Sequence, residues 1–356
     1  MNIKPDSNSL VLFVNDAPIT SGVGRYSDDL LKSIGQRGKM YSLVMDKKYL
    51  YNEFPGNKVK GIFFPFGSGG WTINNSLSKV VYGGVYSDVK RQLEAGGIVH
   101  YTNPLIKPLS KKKNSVVTIH DLFFYKDQNS KDNYARKALV KNMEIYRNFE
   151  NILTVSKTMQ KELQEFGVQG KVSSIYPPVS DVFSMQGDKL ALRKELNLPQ
   201  NKKLILSVST TAKRKNTETV IETMNILGED YFLVRVGKDL GIGKSFQNIS
   251  QEKLNDIYNA CDIFIFPTLG EGFGYPVIEA MATGLPIVAS NIDVMKEVAS
   301  RAAVLTEPTP EACAEGVKEA INNRDKYTEV GLKRAKSFSF SKFRDEINAY
   351  YSNIIT

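Results

Sequence analysis

An apolar run, IFIFP at 263 to 267, leads into GEGFGYPVIEAMATGLPIVAS, residues 270 to 290. A short buried run, a Gly-rich turn, a helix opening with Pro276 and closing at Gly284, and a second apolar run spell a βαβ unit. That unit admits few folds, because a parallel pair bridged by a helix belongs to an α/β sheet, open or closed. Ligands of such sheets lie outside the carboxyl ends of the strands, so the turn from Gly270 to Tyr275 is expected to face one. Gly272 and Gly274 let backbone N–H groups approach closely, and the helix N-terminus behind them suits a phosphate or a cluster of sugar hydroxyls. Glu271 in the turn and Glu279, expected in the first helical turn, add two carboxylates that can accept from hydroxyls. Taken alone, Glu279 reads more readily as an ordinary first-turn acid complementing the helix dipole.

At 356 residues the chain is long enough for two domains. Its 42% apolar and 24% charged residues are those of an ordinary globular protein. No run approaches the roughly 18 apolar residues of a membrane span, and the N-terminus lacks a signal-peptide pattern. The cytoplasm is therefore the expected location. Only Cys261 and Cys313 are present, which disfavours disulfides and thiolate metal clusters and leaves both as packing residues. The net charge of +9 is uneven: residues 1 to 175 hold 25 Lys/Arg against 15 Asp/Glu, the rest 22 against 23. A basic N-terminal half fits an anionic membrane surface, an acidic acceptor, nucleic acid or a merely solvated face.

Taken in order, SLVLFVND at 9 to 16 suits a central parallel strand. It runs into APITSGVGRYSDDLLKSI, where Gly22 and Gly24 are expected to form a flexible turn before an amphipathic helix. No third glycine completes a dinucleotide fingerprint. Residues 64 to 86 mix five glycines with the only Trp and several aromatics, a composition suited to a loop touching an acceptor or a lipid interface, or to a packed surface loop. Lys107 and the run Lys111, Lys112 and Lys113 read as a solvated turn or a membrane contact. VVTIHDLFF at 116 to 124 places His120 and Asp121 at the end of a buried strand. There a histidine can donate to a sugar hydroxyl or move a proton; His100, the other histidine, reads as structural. After the strands NILTVS and VSSIY, Pro177 and Pro178 mark a domain boundary, with the segment to about residue 200 as linker and entry to the second domain. KLILSVSTTAKRKNTETVIETM then gives strand, loop and helix, with Arg214 and Lys215 just before an Asn216 cap. Such a pair is commonly solvent-exposed, yet two cations aimed at one phosphate cluster would stabilise a departing diphosphate. YFLVRVGK at 231 to 238 is a further strand, ending at Gly237.

The run E-G-F-G-Y-P-x-x-E-A-M-A-x-G-x-P resembles the donor-sugar signature of the GT-B glycosyltransferases, specifically the retaining group called family 4. The resemblance covers nearly all of the second half and, more thinly, the loops at 20 to 26 and 116 to 124. It implies an α/β protein of GT-B type with two Rossmann-like domains facing across a cleft. The N-terminal acceptor domain would span 1–176, the nucleotide-sugar donor domain 177–340, and residues 341–356 a last helix packing back on the first, with Phe340, Phe343, Tyr350 and Tyr351 suited to that packing. It implies donor contacts by Gly22, Gly24, Gly237, Gly272, Phe273, Gly274, Tyr275 and Glu279. Catalytic roles would fall to His120 in positioning, Glu271 beside the sugar, and Arg214 with Lys215 on the diphosphate. Two departures from the family pattern stand out: Ser209 replaces a usual glycine, and position 210 holds no arginine.

The function implied is retaining transfer of a mannose-type or glucose-type hexose from a GDP- or UDP-sugar to a glycan or lipid-linked acceptor, in cell-surface polysaccharide or glycoconjugate assembly. No cofactor or metal is expected, since no D-x-D pair follows a strand where a metal-dependent transferase would use it. The basic half would touch the cytoplasmic face of an anionic membrane; nucleic acid is not expected as a partner, because no aromatic-basic recognition motif appears. An epimerase or phosphorylase on the same fold, or a silent sugar-nucleotide-binding subunit, is the alternative, separable by product analysis.

Overall fold

In the computed structural model the described residues are 11–15, 17, 21–42, 59–61, 87, 89–108, 113–126 and 133–355. They fall into two units, one formed by the chain up to Pro177 together with the helix from Ser341, the other by Pro178–Phe340. Each is built on one all-parallel sheet.

The first unit has seven strands: β1 (Val11–Asn15), β2 (Gly38–Ser42), β3 (Val59–Gly61), β4 (Ile98–Tyr101), β5 (Ser115–Ile119), β6 (Asn151–Thr154) and β7 (Lys171–Ser174). Their order is β3-β2-β1-β4-β5-β6-β7. VLFVN, IVHY and SVVTI are buried along their whole length, as strands covered on both faces must be. Leu12, Val14, Val99, Val117 and Ile119 form one core with Met143, Tyr146 and Phe149. The terminal helix Phe340–Ile355 seals the other face, setting Phe343 edge-on to Tyr26 and Tyr351 edge-on to Phe13 and His100. His100 is fully buried between the Tyr351 hydroxyl and Thr118 Oγ1, the latter at 2.7 Å.

The second unit continues with β8 (Lys203–Val208), β9 (Tyr231–Val236), β10 (Lys244–Phe246), β11 (Ile263–Phe266), β12 (Ile287–Ser290) and β13 (Val304–Thr306). They run in the order β10-β9-β8-β11-β12-β13. The segment to about residue 200, expected as linker and entry to this domain, is part of this unit. Ser184 and Gln186 amides donate to Asn255 and Asn259, and Arg193, on the helix Lys189–Glu195, bonds Asp262 at 2.6 Å and the Ala260 carbonyl at 2.9 Å. A prolyl pair stops a strand, but the polar groups beyond it find partners on and just after the helix Gln251–Ala260 rather than in solvent.

In both sheets the strand order reverses once, between β1 and β4 in the first and between β8 and β11 in the second. Crossovers leave to opposite sides there, which opens a crevice at the carboxyl ends of those strands. Of the expected site residues, Gly22 and Gly24 follow β1, Arg214 and Lys215 follow β8 and residues 271–279 follow β11, while His120 follows β5 and Gly237 follows β9.

Among the described residues no helix is long and apolar enough to cross a membrane. The expected contact loop at 64–86 and Lys111 and Lys112 lie outside the described residues.

Candidate functional site

The loops after β8 and β11 are locked together. Arg214 and Lys215 lie in a 3-10 turn, Lys213–Lys215, ahead of α2 (Thr217–Leu227). Glu271 lies after β11, in the turn that ends at α3 (Tyr275–Ala282). Arg214 Nη1 is 2.9 Å from Glu271 Oε2 and donates to the Gly270 carbonyl at 3.1 Å. Lys215 Nζ pairs with Glu271 Oε1, which also accepts from Thr268 Oγ1 at 3.0 Å. The backbone repeats the link: the Leu269 amide donates to the Arg214 carbonyl at 2.7 Å. Lys215 further lies over the Phe266 ring, 5.4 Å from its centroid. Of the trio, only Arg214 retains much exposure, 33% against 12% for Lys215 and 8% for Glu271. Two cations on one carboxylate leave a net positive charge at the reversal of the sheet, where an anion is favoured.

The turn itself is shaped by Gly274, the N-cap of α3 at φ 104°, where a Cβ would come within 2.9 Å of Met295 Cε. Phe273 is buried edge-on against Tyr275 and Phe338, so its ring holds the turn in place and only its backbone is placed to meet a ligand. Glu279 corrects the sequence expectation. It is the fifth residue of α3, beyond the first turn, and its buried carboxylate accepts from the Tyr258 hydroxyl at 2.9 Å. A dipole-complementing role is thereby removed. Asn216 is also corrected: it stands at the N-cap position of α2 in the left-handed region, φ 53°, and its amide donates to the Pro308 carbonyl instead of capping. Gly237 has φ 140°, its amide donates to the Phe246 carbonyl at 2.9 Å, and a Cβ there would stand 2.3 Å from the Ser209 carbonyl oxygen.

In the first unit the residues after β1, β4 and β5 converge. Gly22 and Gly24 are not a flexible turn: α1 (Gly22–Ile34) begins at Gly22, and the Ser21 hydroxyl caps it by accepting from the Gly24 amide at 3.0 Å. A serine able to satisfy the N3 amide starts the helix earlier than the glycines suggested. Asn15, at the end of β1, is fully buried and binds Ser27 and Thr102 through Oδ1, at 3.0 and 3.2 Å. His120 Nε2 lies 2.9 Å from the Thr102 carbonyl. A carbonyl only accepts, so Nε2 carries the proton and Nδ1 is left as an acceptor. Burial pushes the His120 pKa down to about 4, and the imidazole is neutral near pH 7. The nitrogen expected to donate to a sugar is thus committed to the backbone. Tyr26 stands edge-on to this ring at 5.0 Å and so fixes its plane.

Asn15, Thr102, Thr268, Arg235 and Tyr258 escaped sequence reasoning. Each stands in or at the end of an apolar run or mid-helix, and its polar role appears only once strands are placed side by side.

Two parallel sheets, each with one reversal, define a pair of Rossmann-like units of the GT-B class. Family models agree: "Glycosyl transferases group 1" matches residues 188–337 and "Glycosyltransferase Family 4" residues 89–182. The chain belongs to the family 4, group 1 glycosyltransferases. Among similar sequences, the O-antigen biosynthesis glycosyltransferase WclY of Escherichia coli is 26% identical over 240 residues, 60% of this chain and 66% of that protein. The O-antigen chain mannosyltransferase RfbU of Salmonella typhimurium is 27% identical over 232 residues, 60% of each. The chain thus spans 60 to 66% of the length of these relatives. Among solved structures, the sucrose-phosphate synthase tll1590 of Thermosynechococcus elongatus aligns with a TM-score of 0.77 at 18% identity, covering 97% of this chain and 98% of that one. Anabaena Alr3699/HepE in complex with UDP and glucose aligns with a TM-score of 0.76 at 16% identity, covering 97% and 100%.

Proposed function

We propose that the protein is a retaining, metal-independent hexosyltransferase acting in cell-surface polysaccharide assembly. It would move a mannose-type or glucose-type sugar from a nucleoside diphosphate to a glycan or lipid-linked acceptor. The observation that carries this reading is the cluster Arg214–Lys215–Glu271 at the reversal of the second sheet. O-antigen enzymes among the similar sequences, one of them named a mannosyltransferase, support the pathway and the sugar class. A UDP-bound structure with the same fold supports the donor class.

In this reading the bond between the anomeric carbon and the diphosphate oxygen breaks with its electron pair leaving on the nucleoside diphosphate. Arg214 and Lys215 stabilise that charge, each by about 3 kcal/mol where a donor is well placed. Two fixed cations supply what a divalent ion would otherwise provide. The acceptor hydroxyl forms the new bond from the face being vacated, which retains configuration, and its proton passes to the departing phosphate. Glu271 stands beside the sugar and holds the cations in register; it forms no covalent bond. The amides of Gly272 to Tyr275 at the N-terminus of α3 meet the donor, and Glu279, with its carboxylate fixed by Tyr258, takes the ribose diol. Gly22, Gly24 and His120 belong to the sugar and acceptor side, with His120 accepting a hydrogen bond from a hydroxyl through Nδ1 and taking no proton.

The test is incubation with a panel of GDP- and UDP-hexoses and lipid-linked or glycan acceptors, with and without EDTA. Product is read by mass spectrometry and its anomeric configuration by NMR. Expected is a glycosylated acceptor with the donor's configuration, unaffected by EDTA. Free epimerised sugar, sugar phosphate, or an inverted or EDTA-sensitive product would contradict the reading.

A further inference from the structure

Arg235, on β9, is the largest fully buried side chain among the described residues, at 0% exposure. Burial lowers its pKa only to about 10, so it is charged at neutral pH. Yet among the described residues no carboxylate pairs with it, and its Nε has no partner. A buried cation without a counter-charge is expensive, and it persists where something else in the molecule's working cycle compensates it. Its partners show what that is. Nη1 donates to Ser207 Oγ at 2.9 Å and Ser209 Oγ at 3.0 Å, while Nη2 donates to the Ser209 carbonyl and, at 3.3 Å, to the Thr210 carbonyl. Two consecutive carbonyls are therefore turned inward onto one guanidinium.

In a planar trans peptide the N–H points opposite to the C=O. The amides that share those two planes, of Thr210 and Thr211, accordingly point away from Arg235. Both residues are exposed, and neither amide has an intramolecular partner among the described residues. Successive outward amides form an anion-binding nest. This one lies at the end of β8, in the loop that runs on to Arg214 and Lys215, with a buried positive charge beneath it.

We propose that Arg235 is a positioning residue for a phosphate site, turning the Ser209 and Thr210 carbonyls inward so that the Thr210 and Thr211 amides receive a phosphate of the donor diphosphate. That the phosphate belongs to a nucleotide sugar rests on the function proposed above; the nest itself does not. Arg235 never touches the ligand. It sets the loop and supplies the field.

Calorimetric titration of the whole protein with inorganic pyrophosphate, a nucleoside diphosphate and the matching nucleoside, for wild type, Arg235→Met and Arg235→Lys, tests this. The Met variant should bind pyrophosphate and nucleoside diphosphate about tenfold or more weakly, because the two amides are no longer held outward and the buried charge beneath them is gone, with nucleoside affinity unchanged. The Lys variant, which keeps the charge, should recover most of the loss. Unchanged pyrophosphate affinity in folded Arg235→Met, equal losses for nucleoside and diphosphate, or no pyrophosphate binding by wild type would each overturn the proposal. If Arg235→Met does not fold, Thr211→Pro removes one outward amide and leaves the buried charge alone; it should weaken pyrophosphate by a similar factor, and unchanged binding would overturn the nest. Arg235-dependent pyrophosphate binding with no nucleoside diphosphate binding would support the nest and refute the donor reading.

Discussion

Glu271 Oε2 lies 2.9 Å from the Arg214 guanidinium, and the same carboxylate pairs through Oε1 with Lys215. The acid therefore restrains the two cations assigned to the leaving group. Glu271→Gln keeps the shape of the turn but releases both. Because one partner of a largely buried ion pair is removed, the second unit should lose roughly 2–4 kcal/mol of stability. Transfer should fall while nucleoside diphosphate affinity holds or rises, since freed cations bind phosphate better. Steady-state kinetics beside calorimetry checks this split; a parallel loss of affinity and turnover would mean the carboxylate only maintains the fold.

Lys215 is the better shielded of the cations, 12% exposed and set over the Phe266 ring. Its charge acts in a poorly screened place. Lys215→Met should cut kcat by about 10²–10³, the range seen for removal of one preorganised donor, and leave nucleoside binding intact. Single-turnover measurement of sugar transfer is the check, and a drop below threefold would remove Lys215 from leaving-group stabilisation.

How much of this was legible in the chain follows from where polar residues sit along it. Motif loops announce themselves, because glycines and paired charges break an apolar pattern, and so Arg214, Lys215, Glu271 and Gly274 were singled out from sequence. Arg235 and Asn15 were not, since one charged or polar residue in YFLVRV or VLFVN looks like an interruption until neighbouring strands bring it partners. The helix starts at Gly22 because Ser21 caps it, a competition between cap and glycine that pattern reading settled the other way. The boundary at the prolyl pair was legible, but the packing of the entry segment beyond it was not: the buried Arg193 finds Asp262, 69 positions along the chain.

Both histidines of the chain lie in the first unit. Burial pushes His100 down to about 3 and His120 to about 4, against an ordinary value of 6.5. Between roughly pH 6.5 and 4 the unfolded chain therefore binds two protons that the folded unit refuses. Asp29 opposes this: burial raises its carboxyl to about 7, so the folded unit takes up one proton there. The difference is about one proton in favour of the unfolded state, so stability falls as pH drops through that window. Hydrogen exchange at pH 7 and 4.5 should show protection lost first in the first unit; earlier loss in the second would contradict the assignment.

Gly237 was expected to border a nucleotide, but its conformation has a nearer cause. At φ 140°, with a Cβ position 2.3 Å from the Ser209 carbonyl oxygen, only glycine fits beneath the loop that Arg235 also holds. Gly237→Ala should destabilise the second unit by about 2 kcal/mol or more and weaken pyrophosphate binding with it. Thermal unfolding of the variant checks this, and an unchanged Tm would show that the loop shifts freely.

The most direct test of the account is a crystal structure with a bound nucleoside diphosphate sugar that supports transfer. The account predicts the diphosphate within hydrogen-bond distance of Arg214 or Lys215, at the carboxyl ends of β8 and β11. A diphosphate bound elsewhere, with that crevice filled by the protein's own side chains, would contradict it.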